Sequence, residues 1–140
     1  MNIKLSCTAD KKMGRGAYII YKGGKRVVSE SFSIKGMGES STLKEYVFVA
    51  VTKALLSVRN IVNHEDLLLI ELPNNHMVEW LNGSKEYKGY NKYLDEISDI
   101  IDTIDCRYLF TKSDVNEVKK MLEVKEEEKI QGIMEAFEGM

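Results

Sequence analysis

Apolar and polar residues alternate with a period of two in Ile3-Lys4-Leu5-Ser6-Cys7, which predicts a β-strand at the start of the chain. A second run, Ala17-Tyr18-Ile19-Ile20-Tyr21, follows Gly14-Arg15-Gly16, and a third covers residues 27–34. Between them stands Lys22-Gly23-Gly24-Lys25; adjacent glycines accept the positive φ of a tight two-residue turn, so the pair reads as a hairpin. Three strands are therefore expected as an antiparallel meander. Past the loop 35–41 the period changes to that of a helix: Val47, Ala50, Val51, Ala54, Leu55 and Val58 share one face. Thr42 followed three residues later by Glu45 predicts a capping box at its start. Residues 67–72 are apolar except for Glu71, the pattern of a strand covered on both faces, and Pro73-Asn74-Asn75 ends it. Met77, Val78 and Leu81 predict a short helix. Leu94, Ile97, Ile100, Ile101 and Ile104 predict another over 90–104, and residues 106–110 a fifth strand. From Asp114 onward Val115, Val118, Met121 and Leu122 predict a last helix, while Ile130, Ile133, Met134 and Phe137 give the tail an apolar stripe.

Composition narrows the class. The chain has 140 residues, 44% hydrophobic and 30% charged, with one proline, which excludes a disordered or collagenous chain and fits one folded domain. We expect a domain over 1–122 and an acidic amphipathic helical tail over 123–140. No apolar run approaches the roughly 18–20 residues that span a bilayer. Met1-Asn2-Ile3-Lys4 has no charged-then-apolar leader, so a cytoplasmic location is expected. Charge changes the picture more. The formal net charge of −2 hides two halves: residues 1–60 sum to +7 and residues 61–140 to −9.

The order β-β-β-α-β-α-α-β-α resembles that of ribonuclease H, and the local sequence is similar in three places. Met13-Gly14-Arg15-Gly16-Ala17-Tyr18-Ile19-Ile20 resembles the family's glycine-interrupted approach to its second strand. Residues 42–55 resemble its first helix, with a threonine, a glutamate and spaced alanines. Residues 91–122 resemble its last helix, strand and helix, including Asn116-Glu117. The resemblance spans about residues 2–122. It implies an α/β fold, a mixed five-stranded sheet of order 3-2-1-4-5 with strand 2 antiparallel, flanked by helices. It also implies a chemistry: cleavage of the RNA strand of an RNA–DNA hybrid by two metal ions held among clustered carboxylates. Mg²⁺ takes oxygen ligands, and a pair of such ions needs several carboxylates to balance its charge.

Those carboxylates are hard to place. The first position falls on Ser6 to Thr8, with Asp10 about two residues late. The helix glutamate falls on Val47 when the family's alanines are matched to Ala50 and Ala54; the register that matches Glu45 instead would turn Lys53 inward, and a buried unpaired ammonium is costly. Two residues rotate a helical side chain by about 200°, so Glu45 is expected to cap the helix. The third position falls on Leu72 or Pro73, beside Glu71, whose side chain belongs to the other sheet face. The fourth falls near Lys120. The expectation is a degenerate ribonuclease H-like domain, a pseudoenzyme that binds nucleic acid or protein without a metal cofactor. An alternative is a nuclease whose Asp10, Glu45 and Glu71 have shifted to rebuild a Mg²⁺ or Mn²⁺ site. Another is an assembly module in which the tail forms a homodimer.

Candidate nucleic-acid contacts are Lys11, Lys12 and Arg15 at one end of the first hairpin, and Lys22, Lys25 and Arg26 at the next turn. Lys88 and Lys92 join them, beside Tyr87, Tyr90 and Tyr93. Phosphate contacts need only such cations, and edge-strand lysines that discourage aggregation explain them equally well. His64 and His76 have no partner at metal-ligand spacing and are expected at the surface. Cys7 and Cys106 fall on strands that the family's sheet order separates, about 10 Å apart, so two buried free thiols are expected rather than a disulfide.

Overall fold

The computed structural model describes residues 1–83 and 88–123. Strands β1 (Asn2–Asp10), β2 (Arg15–Lys22) and β3 (Lys25–Ser33) form the meander. Then come α1 (Leu43–Val58), β4 (Leu67–Leu72), α2 (Asn75–Leu81), a single 3₁₀ turn (Lys88–Tyr90), α3 (Asn91–Ile101) and β5 (Arg107–Lys112). A last helix, α4, is described over 116–123. The sheet order is β3-β2-β1-β4-β5, with β1 antiparallel to β2 and parallel to β4, and β4 parallel to β5. This is the order expected from the sequence. Among the described residues no helix is long and apolar enough to cross a membrane.

Strand alternation divides the side chains between two layers. Ile3, Leu5 and Cys7 of β1 and Leu68, Ile70 and Leu72 of β4 are fully buried on one face. The apolar stripe of α1 covers them, with Phe48, Ala50, Val51, Ala54 and Leu55 fully buried. The opposite face buries Ala17 and Ile19 of β2 under Val115, Val118 and Leu122. Gly16 lets α1 approach β2 and β3: a Cβ there would stand 2.8 Å from Phe32 Cζ and 3.1 Å from Ala50 Cβ.

The differences from the sequence reading lie at element ends. β1 runs on to Asp10, because the whole stretch 3–10 pairs with residues 15–22 of β2. α3 stops at Ile101, and Ile104 is buried from the loop beyond it. β5 starts at Arg107, which leaves Cys106 before the strand and only half-buried; Cys7 is buried, and both are free. α4 begins at 116 rather than 114 because Val115 adopts φ +46°, a conformation that a β-branched residue rarely takes. Such strain costs on the order of 1–3 kcal/mol. Burial of the Val115 side chain and a bond from its amide to Ser113 Oγ (3.3 Å) hold it in place. The tail and Tyr87 lie outside the described residues.

Candidate nucleic-acid interface

The carboxyl ends of β1, β4 and β5 and the N-terminus of α1 meet at one end of the sheet, the place where open α/β sheets bind ligands. Asp10 closes β1 there, and its Oδ1 accepts the Met13 amide (2.9 Å), which shapes the β1–β2 turn. Glu45 completes the capping box. Its backbone N–H donates to Thr42 Oγ1 (3.3 Å) and its Oε1 accepts the Thr42 amide (3.0 Å). Its Oε2 accepts the Tyr93 hydroxyl at 3.0 Å. The Thr42 amide, then the Tyr93 and Thr42 hydroxyls, hold the Glu45 carboxyl below the usual carboxylate range. Burial first, and Glu45 second, push the Tyr93 hydroxyl up to about 12, so it keeps the proton it donates.

Glu71 is used differently. Its Oε1 accepts the Ser6 hydroxyl at 2.6 Å, with Lys4 Nζ 4.0 Å away. Ser6 and Glu71 are ladder partners, and with Lys4, Asn116 and Glu117 they line a cavity of about 150 Å³ under α4. Burial and the Glu71 charge together push the Cys7 thiol up, so that it stays protonated. The sheet thus lies between Glu71, which faces α4, and Glu45, which belongs to the α1 layer. Asp10 is four residues along β1 from Ser6, a separation of about 13 Å. The structure does not bring the three together. At the matched positions, Thr8, Val47 and Leu72 are buried, and the exposed Lys120 pairs with Glu117 (3.4 Å).

The candidate cations form two groups rather than one stripe. Lys11, Lys12 and Arg15 stand at the α1 N-terminal end, where Lys11 Nζ donates to the Glu39 carbonyl (3.3 Å). Lys22, Lys25 and Arg26 stand at the other end of β2, about 23 Å away over seven residues. Arg26 is paired there with Glu117 (3.5 Å). Lys92 is exposed on the first turn of α3, and the Lys88 backbone opens the 3₁₀ turn.

Sequence reasoning found Tyr90 and Tyr93 but missed that Trp80, His76 and Lys44 join them in an aromatic panel. Trp80 stacks on Tyr90 (5.4 Å) and on His76 (6.2 Å), and Lys44 Nζ lies 6.0 Å from the Trp80 ring centre. Tyr90 shares a hydrogen bond with Thr42 Oγ1 (3.0 Å), which ties the panel to the α1 cap. The signal was available: His76 and Trp80 are four apart on one helix, and Lys44 lies two residues beyond the cap.

No protein-family model matches the sequence, and no curated protein matches it. Solved structures do match in backbone. Ribonuclease H1 from the halophilic archaeon Halobacterium salinarum superposes with a TM-score of 0.65 at 12% identity, covering 81% of this chain and 86% of that one. The fold is that of ribonuclease H. LC11 ribonuclease H1, in a complex with an RNA/DNA hybrid, gives 0.64 at 16% identity over 85% of this chain and 88% of the other. The N-terminal ribonuclease H domain of a Mycobacterium tuberculosis protein gives 0.57 at 9% identity over 80% and 81%.

A ribonuclease H-like fold raises the question of the metal pair. Two divalent ions need several carboxylates converging on one point. Here one carboxylate caps a helix, one shapes a turn and one is balanced by an ammonium on the far face of the sheet. Among the described residues no group of three or more His, Cys, Asp or Glu side chains is placed to hold a metal ion. Asp10, Glu45 and Glu71 are thus each engaged in a separate set of bonds.

The depressed Glu45 carboxyl has a consequence for stability. A group whose pKa is lowered on folding contributes stability that is present above its unfolded value, about 4.3 for glutamate, and lost as pH falls through the lower folded value. Glu45→Gln keeps an oxygen for the Thr42 amide and removes the charge, so it is expected to lower stability at pH 7 by about 0.5 kcal/mol, the size of a carboxylate's interaction with a helix N-terminus. Thermal melts at pH 7, 5 and 3 should converge for variant and parent at the acid end. A difference that stays constant to pH 3 would remove the charge from the explanation.

Proposed function

We propose that this chain is a ribonuclease H-like domain that binds nucleic acid without cleaving it. The observation that carries this reading is the fate of the acids: Glu45 and Glu71 are committed to different bonds on opposite sides of the sheet, and Thr8, Val47, Leu72 or Pro73, and Lys120 occupy the matched positions. Lys11, Lys12, Lys44 and His76 at the α1 end, beside Trp80 and Tyr90, supply the cationic and aromatic surface that a polyanion needs. The RNA/DNA hybrid held by LC11 ribonuclease H1 supports a hybrid as the first ligand to try.

Incubation with a labelled RNA–DNA hybrid in Mg²⁺ or Mn²⁺ is expected to leave the RNA strand intact, while anisotropy at low salt detects a complex that weakens steeply as salt rises. Metal-dependent cleavage that disappears in Glu71→Gln would overturn the non-cleaving reading. Absence of a complex with hybrid, duplex or single strands at low salt would overturn the binding one.

A further inference from the structure

We propose that Arg15, Ser31 and Ser33 form a phosphate clamp on the α4 side of the meander, taking a phosphodiester group of a nucleic-acid backbone. The clamp rests on the nucleic-acid reading above and locates one contact within it.

Arg15 opens β2 opposite Ser33, and Ala17 stands opposite Ser31, so the three side chains share the face that buries Ala17 and Ile19. The guanidinium reaches Ser31 Oγ with Nη2 (3.3 Å) and Ser33 Oγ with Nη1 (3.5 Å). Its Nε is buried and has no hydrogen-bond partner. Asp10 is its cross-strand neighbour, but the Asp10 Oδ1 is engaged by the Met13 amide, and no carboxylate among the described residues forms an ion pair with Arg15. Two other cations of the meander contrast with it: Arg26 pairs with Glu117, and Lys4 lies 4.0 Å from Glu71.

A guanidinium never loses its charge, and this half-buried one is hydrogen-bonded by two hydroxyls, with no ion pair to the Asp10 carboxylate across the strand pair. An anion completes the arrangement. Its chemistry follows from the donors: the planar fork suits two oxygens of one group, and each serine hydroxyl can rotate to donate a further bond. A tetrahedral phosphate uses all of these. Lys11 and Lys12 stand in the turn just before β2, four and three residues ahead of Arg15.

The test uses the full chain and a fluorescein-labelled 16-base-pair RNA–DNA hybrid, followed by anisotropy between 50 and 200 mM salt. Arg15→Met keeps the apolar stem and removes the charge. It is expected to bind roughly tenfold more weakly at the lowest salt, with the slope of log affinity against log salt shallower by about 0.9. Arg15→Lys should keep the slope and lose about threefold in affinity, because charge remains but the fork does not. The Ser31→Ala/Ser33→Ala double variant should also lose about threefold at unchanged slope. Those two variants carry the test if Arg15→Met does not melt cooperatively. If the parent binds and all three variants match it in affinity and slope, the clamp is wrong and the function stands. If the parent does not bind at all, both fall.

Discussion

Phe48→Ala is expected to lower stability by about 3–5 kcal/mol, the range for truncating a fully buried phenylalanine. A domain of this size holds only about 5–15 kcal/mol in total, so this single change threatens folding at physiological temperature. Phe48 has no exposed surface and sits on the inner face of α1. Its ring lies nearly parallel to that of Tyr93, with centres 5.5 Å apart, and is tilted against Tyr90 at the same distance. The loss therefore includes transfer of the ring, the cavity left behind and two aromatic contacts. The chain's one tryptophan, Trp80, stacks on Tyr90 and so reports the region directly. Urea unfolding followed by Trp80 fluorescence should show a lower midpoint at an unchanged slope. A loss below 1 kcal/mol would mean that Tyr90 and Tyr93 close over the gap, and that the panel is not anchored through α1. The same variant should loosen the Thr42–Tyr90 and Tyr93–Glu45 bonds, which join the panel to the α1 cap.

Much of this architecture can be read from the chain. Periods of two and 3.6 placed the meander and α1, a continuous apolar run placed β4, although its burial alternates, and the cost of burying Lys53 selected the register that puts Val47 inward. In the structure Lys53 instead reaches Glu30 at 3.2 Å from an exposed position. The capping box was legible because Thr42 and Glu45 act locally, within one turn. Element ends were less so: the start of α4 depends on Val115 at positive φ, a conformation that its own side chain disfavours and that burial against Ala17 and Ile19 enforces. No local pattern contains that contact. The site was half legible for the same reason. That Glu71 belongs to the face opposite Leu72 follows from strand alternation, but its bond with Ser6 requires the β1–β4 register, 65 residues apart in sequence. The aromatic panel likewise assembles from α1, α2, α3 and the turn before it.

The charge halves make a second large effect expected, and its position matters as much as its size. Reversing Lys11 and Lys12 together to glutamate should weaken binding of an RNA–DNA hybrid by about 100-fold at 50 mM salt, because two phosphate partners are lost and repulsion replaces them. Both side chains are exposed, so the substitution leaves the core untouched, and melts should be nearly unchanged. The matching change at the other end of β2, Lys22→Glu with Lys25→Glu, alters the net charge equally. It lies about 23 Å away by strand geometry, beyond the roughly 10 Å over which charge is felt at 0.1 M salt. If the polyanion docks at the carboxyl ends of the parallel strands, this second pair should cost less than about threefold at 0.1 M salt. Equal losses from the two pairs would mean that the whole +7 segment attracts nucleic acid as a diffuse field, with no docking place at the α1 end. The two double variants therefore separate a positioned interface from a merely basic surface. They do so without reference to cleavage.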